Sequence, residues 1–309
     1  MPDGKPIESR AAADLRPAQK GSALRTRLDR LLVLIVLLAI WVALSAALGT
    51  YWVGSPWGVA TRLGADLWSG VWQGLRFLAG PAWVDSGLGA LTRPTNLVQG
   101  GEILVHASYT LFEAIAGFLL GAIPAAALPF LLRRLPMVTA IIDPFMVGGY
   151  GAPKLALAPL FVLWFGIGIE SKIVLVAVTV FFIVYFSALA GVRALDTKLV
   201  QMAQVVGARE QHVARHIVFP GAVPYIFTGL RIAMPYSIGG AVIAELISAN
   251  RGLGYLVQLG AMNFDTTGIF TALAAVCCIV AIGNWGVAAF EHRLLRWRPA
   301  SDIKLQAET

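Results

Sequence analysis

A chain of 309 residues that is 58% hydrophobic and 13% charged, with a mean hydropathy of +0.74, departs from soluble domains, where about 25% of residues are charged. That balance describes a bilayer protein. The net charge of +7 comes with no basic patch interleaved with aromatics, which excludes nucleic acid as a partner and leaves the cations to be read as those of cytoplasmic loops beside membrane lipid.

The first 24 residues are polar and read as a disordered tail, within a cytoplasmic N-terminal segment 1–30. Leu31 to Leu48 carries no charge, and at about 1.5 Å rise per residue it nearly crosses a hydrocarbon core of about 30 Å. A cleaved signal peptide would fit the basic residues before it, but the leader is too long for one and further spans follow. The segment 31–100 is therefore read as a first span followed by an extracytoplasmic stretch. In it Leu63, Leu67, Val71 and Leu75 recur every four residues beside Trp57, Trp68, Trp72 and Trp83, as in a helix at the headgroup level or in a packed outer subdomain. Gly80 to Asn96 reads as a loop.

Residues 101–292 form the core and 293–309 a cytoplasmic C-terminal tail. After Leu31 to Leu48, the hydropathy of the chain marks five more spans: Ile103 to Phe130, Leu155 to Ile169, Ile173 to Val192, Ile226 to Ile247 and Gly268 to Ala289. The third span in order is short, so the preceding stretch is expected to enter the membrane as a broken helix, interrupted at its glycines, Pro144 and Pro153. Arg133, Arg134, Arg193, Lys198, Arg209, Arg215 and Arg293 all fall on one side if both termini are cytoplasmic, and the positive-inside rule selects that arrangement. The expected fold class is an all-α membrane protein of about six transmembrane helices, both termini cytoplasmic, with a helix-turn-helix on the cytoplasmic side. Cys277 and Cys278 are adjacent, a spacing that suits neither a structural disulfide nor a zinc site.

The polar interval is Gln201 to Pro220, QMAQVVGAREQHVARHIVFP. Leu195, Leu199, Met202, Ala203 and Val206 share one helical face, Gly207 permits a sharp turn, and a second short helix can run through Val213, His216 and Ile217. Pro220 suits a boundary before the next span. Such an element is either an ordinary structured loop or a handle by which another protein moves the membrane helices. For the handle, Gly207 and Ala208 form the turn, and Met202, Ala203 and Val206 the docking face.

Ionisable residues inside the membrane are costly, and Glu113, Asp143, Lys154, Arg231 and Glu245 each need an account. Arg231 is expected to snorkel to the cytoplasmic interface and Glu245 to pair with Arg251 or line an entrance. Lys154, beside a glycine-rich break, either snorkels or attracts an anion. Pro235, Ser237, Gly239 and Gly240 are expected to break up the fifth span, as a mobile pore lining or a static packing seam. The candidate substrate pathway is Lys154, Pro235, Gly239, Gly240 and Glu245.

At the polar interval the chain resembles the permeases of binding-protein-dependent ABC importers. Their cytoplasmic loop carries Glu-Ala-Ala, three residues, Gly, nine residues, then Ile-x-Leu-Pro, and Gln201, Met202, Ala203, Gly207, Ile217, Phe219 and Pro220 stand at that spacing. Gln201 replaces the Glu, Met202 an Ala and Phe219 the Leu. LAPLFVLWFGIGIESKI, TGLRIAMPYSIGGAVIAELISANRGLGYLV and ASYTLFEAIAGFLLG resemble the sulfonate, taurine and nitrate subgroup, although Glu113 and Lys154 depart from its pattern. The resemblance implies a permease subunit that carries a small anion, delivered by an extracytoplasmic solute-binding protein. It also implies two ATPase subunits gripping the coupling residues Gln201, Met202, Ala203, Val206, Gly207, Ala208, Ile217 and Pro220, and a second permease subunit, expected to be another copy of this chain. ATP belongs to the partner ATPases: the chain has no phosphate-cradling Gly-x-x-x-x-Gly-Lys-Ser/Thr sequence and itself reads as neither an enzyme nor a cofactor carrier.

The alternative is a secondary transporter or channel without an ATPase, which predicts inverted repeats that this sequence does not display. A membrane enzyme is a third class. His106, His212, His216 and His292 are scattered, and His212 and His216 at i, i+4 lack the Glu of a metalloprotease, so no metal site is assigned.

Overall fold

The computed structural model describes residues 20–79, 102–195 and 197–296, all helix, turn or loop. Residues 1–19, the loop expected from Gly80 to Asn96 and residues 297–309 lie outside this description. The chain divides into two units, Met1–Trp57 and Gly58–Thr309.

In the first unit α1 runs Lys20–Leu48 and displays apolar side chains almost all round, as a helix in lipid does. It stops at Gly49, whose carbonyl accepts from the Trp52 and Val53 amides at 3.2 Å each, while Trp41 Nε1 donates to the Gly54 carbonyl at 3.0 Å. Helix α2, Pro56–Ala79, starts on a proline, which suits a first turn whose N–H has no partner, and lies mostly in the second unit. Its expected stripe is divided: Leu63 packs on the core, whereas Leu67 and Val71 are exposed and Trp68 meets Trp72 edge to face at 5.8 Å.

The second unit contains α3 (Glu102–Leu132), α4 (Pro136–Gly151), α5 (Ala158–Phe165), α6 (Ile169–Arg193), α7 (Thr197–Val205), α8 (Glu210–Val213), α9 (Phe219–Ser248), α10 (Leu253–Met262) and α11 (Thr266–Leu294). Helix α6 lies between α3 and α9 and supplies the largest buried face, through Leu175, Val176, Val180, Val184, Tyr185 and Ala188. Gly117 and Gly121 make the α3 seam possible. A Cβ on Gly117 would sit 2.6 Å from the Val176 side chain, and one on Gly121 would collide with the Ala177 carbonyl. Small residues four apart are how membrane helices, lacking a hydrophobic drive to associate, gain close backbone contact.

Among the described residues, five helices are long and apolar enough to cross a membrane, or six if one bent pair counts as a span. The bent pair is α4 with the turn and helix Lys154–Phe165, at 84°, which is the broken helix expected from the glycines and prolines. Three details of the expectation are corrected. The stretch Leu155 to Ile169 is no span by itself, because α5 has only 8 residues, about 12 Å long, and Ile169 already opens α6. Pro144 lies inside α4 without interrupting it; the break falls at Ala152, which precedes Pro153 and is forced into extended backbone with ψ 142. Pro235 likewise leaves α9 continuous from Phe219 to Ser248, since one missing N–H is tolerated where neighbouring helices hold the backbone.

Candidate functional site: the coupling turn and the translocation face

Helix α7 ends in a complete left-handed cap. Gly207 has φ +88, its N–H donates to the Gln204 carbonyl at 2.9 Å, and the Ala208 N–H donates to the Ala203 carbonyl at 2.9 Å. This pair of bonds defines a Schellman motif, and the positive φ explains why glycine stands at the turn. Arg209 is extended, Glu210 opens α8, and Val213 and Val218 are buried. Arg133 Nη1 meets Glu210 Oε1 at 3.2 Å, tying the turn to the end of α3.

The turn exposes an apolar edge: Leu199, Met202, Val205 and Val206, the last two 87% and 88% exposed. Gln201 is exposed beside them, while Ala203, Ala208, Ile217 and Pro220 are half-buried. Ala203 thus faces partly inward, and Val205, absent from the expected docking face, belongs to its outer edge. Pro220 marks no boundary. A π-helical turn, Ala214–Val218, joins α8 to α9, so the second helix of the hairpin runs into the membrane span without a break. The wider turn absorbs the bond that proline cannot make. His212 and His216 stack at 5.9 Å on the exposed side.

The intramembrane charges are paired differently from the expectation. Arg231 does not merely snorkel: it is bonded to Glu291 of α11. Arg193 meets Asp143 at 3.2 Å. Glu245 neither pairs with Arg251 nor lines an entrance; it is fully buried, and Arg251 bonds the Tyr109 hydroxyl instead. Glu245 accepts from the Thr110 hydroxyl and the Gly254 N–H, both at 2.7 Å. Thr110 in turn accepts from the Leu253 N–H at 2.8 Å, and His106 Nδ1 from the Gly252 N–H at 2.9 Å. Three consecutive amides at the start of α10 are thereby capped by side chains of α3 and α9. Without those acceptors each buried amide would carry a desolvation cost of about 1–3 kcal/mol.

One turn below, Glu113 Oε1 lies 3.5 Å from Lys172 Nζ, with both side chains almost wholly buried. Lys172 escaped notice in the sequence because Glu170-Ser-Lys172 reads as a polar entry to a span. Outside the spans, Asp265 caps α11 by accepting from the Gly268 N–H at 2.9 Å and pairs with Arg62 at 2.6 Å. Partial burial acts to raise its pKa, but the Gly268 bond and Arg62 outweigh that, and it lies below the usual aspartate value.

A cavity of about 580 Å³ among α3, α9 and α11 has only apolar side chains and glycines on its walls and offers a charged solute nothing. A second, about 480 Å³, opens where the bent pair meets α6 and α9, between Lys154, Tyr150, Thr179 and Tyr236. Lys154 Nζ donates to the Tyr150 carbonyl at 2.5 Å and lies 5.1 and 5.2 Å from the Tyr150 and Phe182 ring centroids. Of the other expected pathway residues, Gly239 faces open space, Gly240 packs on Val176 and Pro235 is half-buried in α9.

Residues 117–296 match the family described as "Binding-protein-dependent transport system inner membrane component". The chain is 31% identical over 203 residues to SsuC of Bacillus subtilis strain 168, named as an aliphatic sulfonates transport permease, covering 66% of this chain and 74% of the relative. It is 39% identical over 162 residues to the taurine transport system permease protein TauC of Escherichia coli K12, covering 52% and 59%. The fold is similar to a chain of the MetNI methionine ABC transporter in an inward-facing conformation, with TM-score 0.55 and 16% identity over 62% of this chain and 95% of that one. Glu210–Ser248, which joins the second helix of the hairpin to a candidate span, lies wholly inside the matched region. This protein is a multi-pass inner-membrane permease subunit and belongs to the family of binding-protein-dependent transport system inner membrane components.

Proposed function

We propose that the chain forms the translocation pathway of an ATP-driven importer for a small organic anion of the sulfonate or taurine kind. A binding-protein-dependent system supplies a solute-binding protein and an ATPase. The finer assembly is part of the proposal: two copies of this chain, two ATPase subunits, and both termini on the cytoplasmic side. The observation that carries the reading is the rigid hairpin Thr197–Val218, whose exposed edge Leu199, Met202, Val205 and Val206 has no use in water. Because that hairpin is continuous with α9 and tied to α3 through Arg133, a partner that changes the separation of two such hairpins biases the membrane helices between inward-open and outward-open states.

Affinity purification from membranes tests this directly. The expected result is one ATPase per permease, and ATP-dependent accumulation of butanesulfonate or taurine in vesicles supplied with the solute-binding protein. Met202→Glu with Val206→Glu should weaken ATPase retention by about tenfold or more, as loss of interface anchors does. Uptake by the purified chain with no ATPase present would overturn the proposal.

A further inference from the structure

The chamber at the bend of α4 and α5 has an unequal chemistry. Its walls are Tyr150, Pro153, Leu155, Ile183 and Ile232, with Lys154, Thr179 and Tyr236 as the polar side. One wall group is a cation and none is an acid. The Lys154 ammonium has three N–H donors; the Tyr150 carbonyl takes one at 2.5 Å, and the Ala152 carbonyl stands at 3.5 Å, the limit of a useful bond. The Tyr150 and Phe182 rings lie 5.1 and 5.2 Å from the ammonium, which holds the charge beside the cavity.

We infer that this chamber is a selective subsite for an anion with an apolar body, and that it discriminates against zwitterions. The inference rests on the importer reading above and names which of its substrate classes the membrane subunit favours. An alkanesulfonate satisfies both halves of the site: its three oxygens accept from Lys154 and the Tyr236 hydroxyl, the Thr179 hydroxyl being already donated to the Leu175 carbonyl at 2.9 Å, while its chain lies on Leu155, Ile183 and Ile232. Taurine presents the same sulfonate but ends in an ammonium. Within the chamber that second charge meets apolar wall and the Lys154 cation, with no carboxylate to pair it, and the two like charges repel. Tyr150 and Tyr236 are each at least half exposed, so the chamber is open to a solute rather than sealed in the core.

Charge-selective labelling reads this site without the solute-binding protein, whose own preference would otherwise dominate. The permease with its ATPase, carrying Cys277→Ala, Cys278→Ala and Ile232→Cys, is placed in nanodiscs and treated with anionic sulfonatoethyl or cationic aminoethyl methanethiosulfonate. A cation lining the same chamber should make the anionic reagent faster by about fivefold relative to the cationic one. Lys154→Met should abolish that preference and Lys154→Arg keep it, while butanesulfonate slows labelling and taurine does so at least about fivefold less effectively. Equal rates for the two reagents, a preference unchanged by Lys154→Met, or equal protection by taurine would each overturn the inference; ATPase copurification on each variant shows that it has folded. Failure of the importer reading appears separately, as absence of ATP-driven uptake in the full complex.

Discussion

At the residue scale, the Glu113–Lys172 pair shows how the bundle tolerates charge. The two groups sit 3.5 Å apart, 1% and 5% exposed, on α3 and α6 across the seam that Gly117 and Gly121 bring together. Attraction at that range offsets desolvation only while both partners are present. Lys172→Met should therefore destabilise the protein by about 3–5 kcal/mol, and adding Glu113→Gln should recover a large part of the loss. Denaturant melts of the single and double variants in detergent measure this; equal loss in both would mean that the two side chains do not act on each other. Glu245 belongs to the same cluster: it interacts with Glu113 and Lys172 while its carboxylate caps a helix start with Thr110.

At the scale of the element, the hairpin proposed for coupling depends on one backbone conformation. Gly207 at φ +88 allows the Schellman bonds from Gly207 and Ala208 to close, and there is open space where a side chain would stand. Gly207→Val meets no neighbour, so its cost is conformational: about 1–2 kcal/mol for a residue with a Cβ in left-handed backbone, more for a branched one. The variant should insert into the membrane normally yet lose ATPase stimulation and transport. Transport at the parental rate would show that the turn angle is irrelevant to coupling. The bent pair α4 and α5 is built by the opposite device, a proline that expels its predecessor from the helix, and its turn places Lys154 on the wall of a chamber shared with α4, α6 and α9.

For the whole molecule, the decisive quantity is which side of the membrane each charged end occupies. Arg133, Arg193, Lys198, Arg209, Arg215 and Arg293 follow alternate spans and so share one side, which the proposed orientation makes the cytoplasmic face. Val206→Cys, with the native cysteines replaced by alanine, should react with a membrane-impermeant maleimide in inside-out vesicles and resist it in intact cells. Reaction from outside would invert the topology and remove the coupling turn from reach of any cytoplasmic ATPase.

How much of this was legible without coordinates depends on the range of the interaction involved. Hydropathy and helical period are local, so the spans, the broken helix before Lys154 and the turn at Gly207 could be read from short windows of residues. Local breakers were over-read for the same reason: Pro220 and Pro235 looked like interruptions, but packing and a π-helical turn carry α9 through both. The polar partners in the core could not be read at all. Thr110 meets Glu245 and His106 meets Gly252 across 135 and 146 residues, because three packed helices, not any sequence interval, bring them together. The sequence by itself determined a helical membrane protein with a glycine turn between two of its apolar helices, since burial in lipid and backbone freedom at glycine act residue by residue. Only the tertiary structure decided which buried charges neutralise one another and which cation is left facing a chamber, since electrostatic pairing depends on distance in space.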